Sequence, residues 1–148
     1  MRTHPARGGR RATAVHRASL VMLLATLCGA CFPVYKTRRP EAILAVRDTA
    51  SRPLAGARVI LVTSRYPYGR EFARDTLLSD SAGVVRFARR RAWEMETLMI
   101  HGAWVYAWHW CVEAPGHDAF DSRRASGRFQ PRTELRLGAG TAERCTAR

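Results

Sequence analysis

Lysine is almost absent from this chain. Lys36 stands alone among 25 basic residues, so the positive charge is carried by arginine. Long apolar runs are also missing. The run Ala18–Leu27 is too short to cross a hydrocarbon core of ~30 Å as an ordinary helix. There are no internal repeats, no heptads and no long amphipathic helical pattern, which excludes a solenoid, a coiled coil and a helical bundle. No nucleophile elbow, no His-Glu-x-x-His and no phosphate-binding glycine loop occurs. Beyond residue 31 the histidines are His101, His109 and His117; none pairs at i, i+2 or i, i+4, and Asp118 and Asp121 lie near only one of them. That spacing does not make a zinc site. No catalytic residue, metal or cofactor is assigned.

Residues 1–17 contain no acid and five arginines, Arg2, Arg7, Arg10, Arg11 and Arg17. The short apolar run follows, then Cys28-Gly29-Ala30-Cys31. A basic start, a short apolar stretch and small residues before a cleavage point make a secretory signal. The segment Leu27–Cys31 resembles a bacterial lipoprotein signal, in which small residues precede a lipidated cysteine; Cys28 stands where that family prefers leucine. The resemblance implies that residues 1–30 are removed and that Cys31 becomes an acylated N-terminus. Diacylglycerol on its sulfur and an acyl group on its amine would hold it to membrane lipid, at ~0.8 kcal/mol per buried methylene. The expected location is the cell envelope, at the outer membrane and facing the periplasm. A secreted protein with an unmodified Cys31 and an uncleaved anchor are the alternatives. Arg10-Arg11 lacks the apolar pair of a twin-arginine signal, which favours the general export route.

Residues 31–148 suffice for one domain and not for two. Removing the five leader arginines leaves 20 basic against 12 acidic residues, a net charge of +8. An exported protein seldom meets nucleic acid, so anionic headgroups, an envelope protein or a glycan are the expected partners. Arg89, Arg90 and Arg91 form the densest basic patch and a possible binding element; the bland reading is a solvated loop or strand end. With Cys28 leaving in the signal and Cys31 carrying lipid, Cys111 and Cys145 remain in a compartment that permits disulfides. A bridge between them would be worth ~3–4 kcal/mol in the chain-entropy model. The alternatives are a buried free Cys111 with Cys145 on a loose tail, or a bridge from Cys145 to another chain.

Residues 31–40 read as a tether, because Phe32–Pro40 holds two prolines and a basic cluster. From Glu41 the pattern is short strands and turns. Ala42–Val46 alternates, Ala57–Thr63 is β-branched, and Asp75–Leu78 and Val84–Ala88 flank a hairpin turn, Asp80-Ser81-Ala82-Gly83. Trp93–Ile100 is ambiguous between a helical turn and an irregular excursion. Ala103–Ala114 is the strongest strand; Asp121–Pro131 reads as a loop, Thr133–Leu137 as the last strand, and residues 138–148 as a tail. The expected fold is an all-β sandwich.

Three blocks carry a family resemblance. Val46-x-Asp48-x4-Pro53-Leu54-Ala55-Gly56-Ala57-x-Val59 looks like the first hairpin of the carboxypeptidase regulatory-like domain, a prealbumin-like (transthyretin-like) sandwich. Ser79-Asp80-x2-Gly83-x-Val85-x-Phe87 looks like its second signature. Trp110-x-Val112-x-Ala114-Pro115-Gly116-His117 looks like its closing strand, with His117 in place of the usual tyrosine. The resemblance implies a Greek-key sandwich of about seven strands over residues 41–137. It implies no catalysis in this chain, since zinc carboxypeptidases that carry such a sandwich keep their chemistry in a separate domain. The expected core is Leu44, Val46, Val59, Leu61, Val85, Phe87, Trp110 and Val112.

Trp104, Tyr106, Trp108, Trp110 and Val112 fall on one face of a strand of period two. Trp110 and Val112 read as core. At Trp104 and Tyr106 two readings stand: satellite packing, or a surface that stacks on sugar rings or grips a partner. His109, Cys111 and Glu113 share the opposite face, expected to be solvated. The function expected is a non-catalytic structural or protein-interaction module, lipid-anchored in the envelope. The alternative is a carbohydrate- or peptide-binding lipoprotein using an aromatic and arginine surface.

Overall fold

The computed structural model describes residues 19–22, 31–97, 103–124, 128–141 and 145. The expectations for residues 1–18 and 23–30, Cys28 among them, lie outside the described residues, as does His101. Residues 19–22 are helical, and no helix among the described residues is long and apolar enough to cross a membrane. The chain divides into two compact units, Met1–Val34 with Met95–Ala103, and Tyr35–Glu94 with Trp104–Arg148. The second unit holds the sandwich.

The described residues form nine strands: β1 (Cys31–Arg39), β2 (Ala42–Asp48), β3 (Arg58–Tyr66), β4 (Arg70–Leu78), β5 (Val84–Phe87), β6 (Arg90–Thr97), β7 (Val105–Glu113), β8 (Phe120–Asp121) and β9 (Arg132–Leu137). Seven of them make the two layers of an all-β sandwich. One sheet has the order β5-β2-β9 and the other β4-β3-β7-β8. β1 and β6 pair as a separate two-stranded ribbon. β2 runs antiparallel to β5 and parallel to β9, and β3 runs antiparallel to both β4 and β7.

Alternation explains the core. Ala42, Leu44 and Val46 of β2, Val85 and Phe87 of β5, and Leu137 of β9 point inward from one sheet; Val59, Leu61, Trp110 and Val112 meet them from the other. All eight expected core residues are buried. The Phe87 and Trp110 rings sit 5.8 Å apart, and the indole Nε1 of Trp110 donates to the carbonyl of Gln130 at 3.1 Å. The largest core side chain therefore buries its area without leaving a polar atom unpaired.

Four local expectations are corrected. Residues 31–39 form strand β1 and are no loose tether: the prolines sit at Pro33, early in the strand, and at Pro40, just past its end. Strand β6, Arg90–Thr97, takes in Trp93–Thr97 of the stretch read as helical or irregular, and pairing with β1 supplies the ladder that the sequence leaves invisible. Asp121, read as the start of a loop, belongs with Phe120 to the short edge strand β8. The two presumed hairpins are corners between sheets, since β2 and β3, and likewise β4 and β5, belong to different sheets. At the second corner the Asp80 carboxylate accepts the N–H groups of Ala82 and Val84, both at 2.9 Å. Gly83 has φ +74°, and a Cβ there would stand 2.5 Å from the Val46 carbonyl oxygen. The corner thus needs glycine for its conformation and for close backbone approach.

Truncation of Trp110 tests this packing. Trp110→Ala should lower the unfolding free energy by ~3–5 kcal/mol in denaturant titrations. A loss under ~1 kcal/mol would place that ring outside the core.

Candidate functional site

The aromatic ladder of β7 is divided between two environments. Trp110 and Val112 lie under the β5-β2-β9 sheet. Trp108 is half-buried, and its Nε1 donates to the carbonyl of Arg38 in β1 at 3.0 Å. Tyr106 is buried and its hydroxyl reaches both carboxylate oxygens of Glu94 in β6, at 2.6 and 2.8 Å. The Arg38 guanidinium binds the same carboxylate at 2.6 Å. The ribbon segments Tyr35–Arg39 and Arg90–Glu94 therefore cover the end of the inner face that the three-stranded sheet leaves open. This answers the open question at Tyr106: it is a buried part of a Tyr–Glu–Arg network. Trp104 is half-buried and packs against the ring of Tyr68.

The electrostatics of this network follow from its geometry. Burial pushes the Tyr106 phenol up to about 12, and the hydrogen bond to the Glu94 carboxylate adds to the effect. Burial opposes the charge of Glu94, but the bonds from Tyr106 and Arg38, with attraction from Arg38 and Lys36, hold its carboxyl below the usual range.

Around the network lies a surface of rings and guanidiniums. Tyr35 and Trp93 are exposed and their ring centroids are 5.1 Å apart, with the planes tilted by 38°. Tyr68 faces Trp104 at 5.8 Å and a tilt of 55°, and Phe72 faces Tyr106 at 5.3 Å and a tilt of 50°. Arg65 stacks on both Trp104, at 4.3 Å, and Phe72, at 5.2 Å. Arg38 lies over Phe72, Arg70 over Tyr68 and Arg91 over Tyr35. Each such contact draws a guanidinium onto the negative face of a ring. Arg89, Arg90 and Arg91 are all exposed. They diverge: Arg91 turns to Tyr35 and to the Thr37 hydroxyl, whereas Arg90 lines a cleft with Arg38 and Arg39.

The opposite face of β7 corrects the solvated reading. His109, Cys111, Ile60 and Val62 are buried. Cys145 packs against Ile60, Val62 and Cys111 and is joined to Cys111, with Cα atoms 6.1 Å apart. The tail also bonds back to the sandwich: the Cys145 amide donates to Glu113, and its carbonyl accepts from Arg74 at 2.9 Å. Upstream, His117 and Ala139 form a β-bridge and Gly140 N–H donates to Gly116 at 3.1 Å. The His109 Nε2 atom has no hydrogen-bond partner among the described residues. Burial first, then the Arg123 charge, pushes that imidazole down and favours its neutral form. Because Cys111 lies in the bridge, the His109–Cys111–Glu113 trio presents no thiolate. Among the described residues no group of three or more His, Cys, Asp or Glu is arranged to hold a metal ion. Cys31, at the start of β1, is exposed and outside the bridge.

Sequence reading missed Tyr35, Arg38, Arg39, Arg65, Tyr68, Phe72 and Glu94. The available signal was the density of rings and arginines in Tyr66–Phe72, together with Arg38-Arg39 in the stretch read as a tether. Comparison with protein-family models, curated proteins and solved structures gives no match for this chain.

Tyr106 provides a pH test. Its folded value lies above the ordinary ~10 of the unfolded chain, so the native state holds the proton longer. Stability from this group is fully present below ~10 and falls as pH rises toward 12. Tyr106→Phe should remove the last-titrating component of the phenolate absorbance. At neutral pH it should cost ~1.5–3 kcal/mol, because a half-buried carboxylate loses a donor.

Proposed function

We propose that this protein is a lipid-anchored β-sandwich of the bacterial cell envelope, acting as a non-catalytic protein-interaction module. Its resemblance to the carboxypeptidase regulatory-like domain belongs to the same proposal and supports a binding role. The observation that carries it is the exposed surface around Tyr35, Tyr68, Phe72 and Trp93, interleaved with Arg38, Arg65, Arg70 and Arg91. Aromatic rings and arginines are the residue types that dominate binding energy at protein interfaces. The ring pairs are tilted by 38–55°, which gives no coplanar floor for the flat face of a sugar. That geometry favours a protein or peptide partner over a glycan.

The anchor reading rests on Leu27–Cys31 and gains support from the exposure of Cys31. In this reading Cys31 is acylated, and the protein faces the periplasm from the outer membrane. Mass spectrometry of membrane-extracted protein should find a lipid-modified peptide that begins at Cys31. Cys31→Ser should shift the protein from the membrane to the soluble fraction or leave it unprocessed. An unmodified N-terminus at another residue would overturn the anchor. For the interaction surface, the double variant Tyr35→Ala/Trp93→Ala should lose crosslinks to envelope proteins while the circular dichroism spectrum is kept. Unchanged crosslinking would remove that surface from the interface.

A further inference from the structure

The Tyr35–Glu94 part of the sandwich unit contains a cleft of about 200 Å³, lined by Arg38, Arg39, Phe72, Ala73, Asp75 and Arg90. A water takes ~30 Å³ of liquid, so the cleft has room for a compact anion and the first atoms bonded to it. Three guanidiniums meet there, and the carboxylates of Asp75 and Glu94 pair with two of them, which leaves an excess of one positive charge.

The arginines are partly immobilised before any ligand arrives. Arg38 is held through Nε by Glu94 at 2.6 Å. Arg39 is held by Asp75 through Nη1 at 2.6 Å and by the Ala88 carbonyl through Nε at 2.9 Å. Each guanidinium has five N–H donors in a fixed plane, so these bonds fix the forks and leave other donors unused. The Arg90 side chain makes no ion pair or hydrogen bond among the described residues, and it is exposed. Among the described residues no carboxylate answers its charge. The ring of Phe72 forms an apolar wall, with Arg38 5.6 Å above its centroid. An apolar wall lowers the local dielectric and strengthens attraction to a bound anion. Pre-positioned forks also lose less side-chain freedom on binding.

We propose that this cleft binds a phosphoryl oxyanion, carried either by a lipid headgroup or by a small soluble phosphate. A carboxylate has two oxygens in one plane and is satisfied by one fork. Three forks projecting from two strands, with one charge unanswered, suit the greater number of acceptors on a phosphoryl group. The site goes beyond the protein-interaction reading and does not rest on acylation of Cys31. Its test reads Arg90, whereas the tests of that reading use Cys31, Tyr35 and Trp93.

The full chain in neutral detergent is titrated calorimetrically with inorganic phosphate and with short-chain phosphatidic acid, against acetate at equal ionic strength. Saturable binding of at least one phosphate probe is expected, with acetate weaker. Arg90→Ala should weaken it about tenfold, the scale of one charge-assisted hydrogen bond. Arg89→Ala, which removes an equal charge outside the cleft, should leave it unchanged. Both variants should keep the wild-type circular dichroism. Tighter binding of phosphatidic acid assigns the headgroup; equal or tighter binding of inorganic phosphate assigns the soluble source. The proposal is overturned if neither probe saturates, if acetate binds as well, or if Arg89→Ala weakens binding as much as Arg90→Ala.

Discussion

The antiparallel pairing of β3 with β7, Arg58↔Glu113 through Tyr66↔Val105, is the contact on which the rest depends. Both strands are buried on both faces along much of their length. On one side Val59, Leu61, Trp110 and Val112 meet the three-stranded sheet; on the other Ile60, Val62 and Cys111 lie beneath Cys145. A sheet of four strands would ordinarily keep one face in water. Here Cys145 packs on the second face, and the disulfide fixes that contact in place. The bridge therefore acts by keeping apolar area out of solvent as well as by restricting the unfolded chain.

The inner face of the same pair is longer than the sheet that covers it. Past Leu61 and Trp110, the inward positions are Thr63, Trp108 and Tyr106, each with a polar atom. The ribbon answers them with polar groups: the Arg38 carbonyl accepts from Thr63 and Trp108, and Glu94 accepts from Tyr106. A buried polar network is stable only when its members are all satisfied. This one is, and it orients the Arg38 fork toward Phe72. Packing of the sandwich end and assembly of the cationic cleft are thus consequences of one set of hydrogen bonds.

Arginine is what makes that arrangement possible. Its planar cation stacks on rings and binds carboxylates through a fork, whereas an ammonium would do neither as well. Arg65 stacks between Trp104 and Phe72, and Arg39 joins Asp75 while lying 6.0 Å over Phe87. The aromatics of the candidate surface are held by charge as much as by apolar contact.

Alternation of Leu44 and Val46, of Val59 and Leu61, and of Trp110 and Val112 was sufficient to determine the all-β class and the core, because period-two burial is a local property of each strand. The turn residues Asp80 and Gly83 were legible for the same reason; their bonds close within a few residues. The sequence also placed Cys111 on the face opposite Trp110, where a tail could reach it. What remained hidden depends on contacts distant along the chain. The β1–β6 ribbon joins segments some fifty residues apart and carries arginines and prolines that read as unstructured. The fate of Tyr106 turned on Glu94 being opposite it. The burial of Ile60, Val62 and Cys111 turned on a covering Cys145, and the cleft exists only because Arg38, Arg39 and Arg90 are brought together beside Phe72. Periodicity reports which face a residue takes; only tertiary packing decides what lies across from that face.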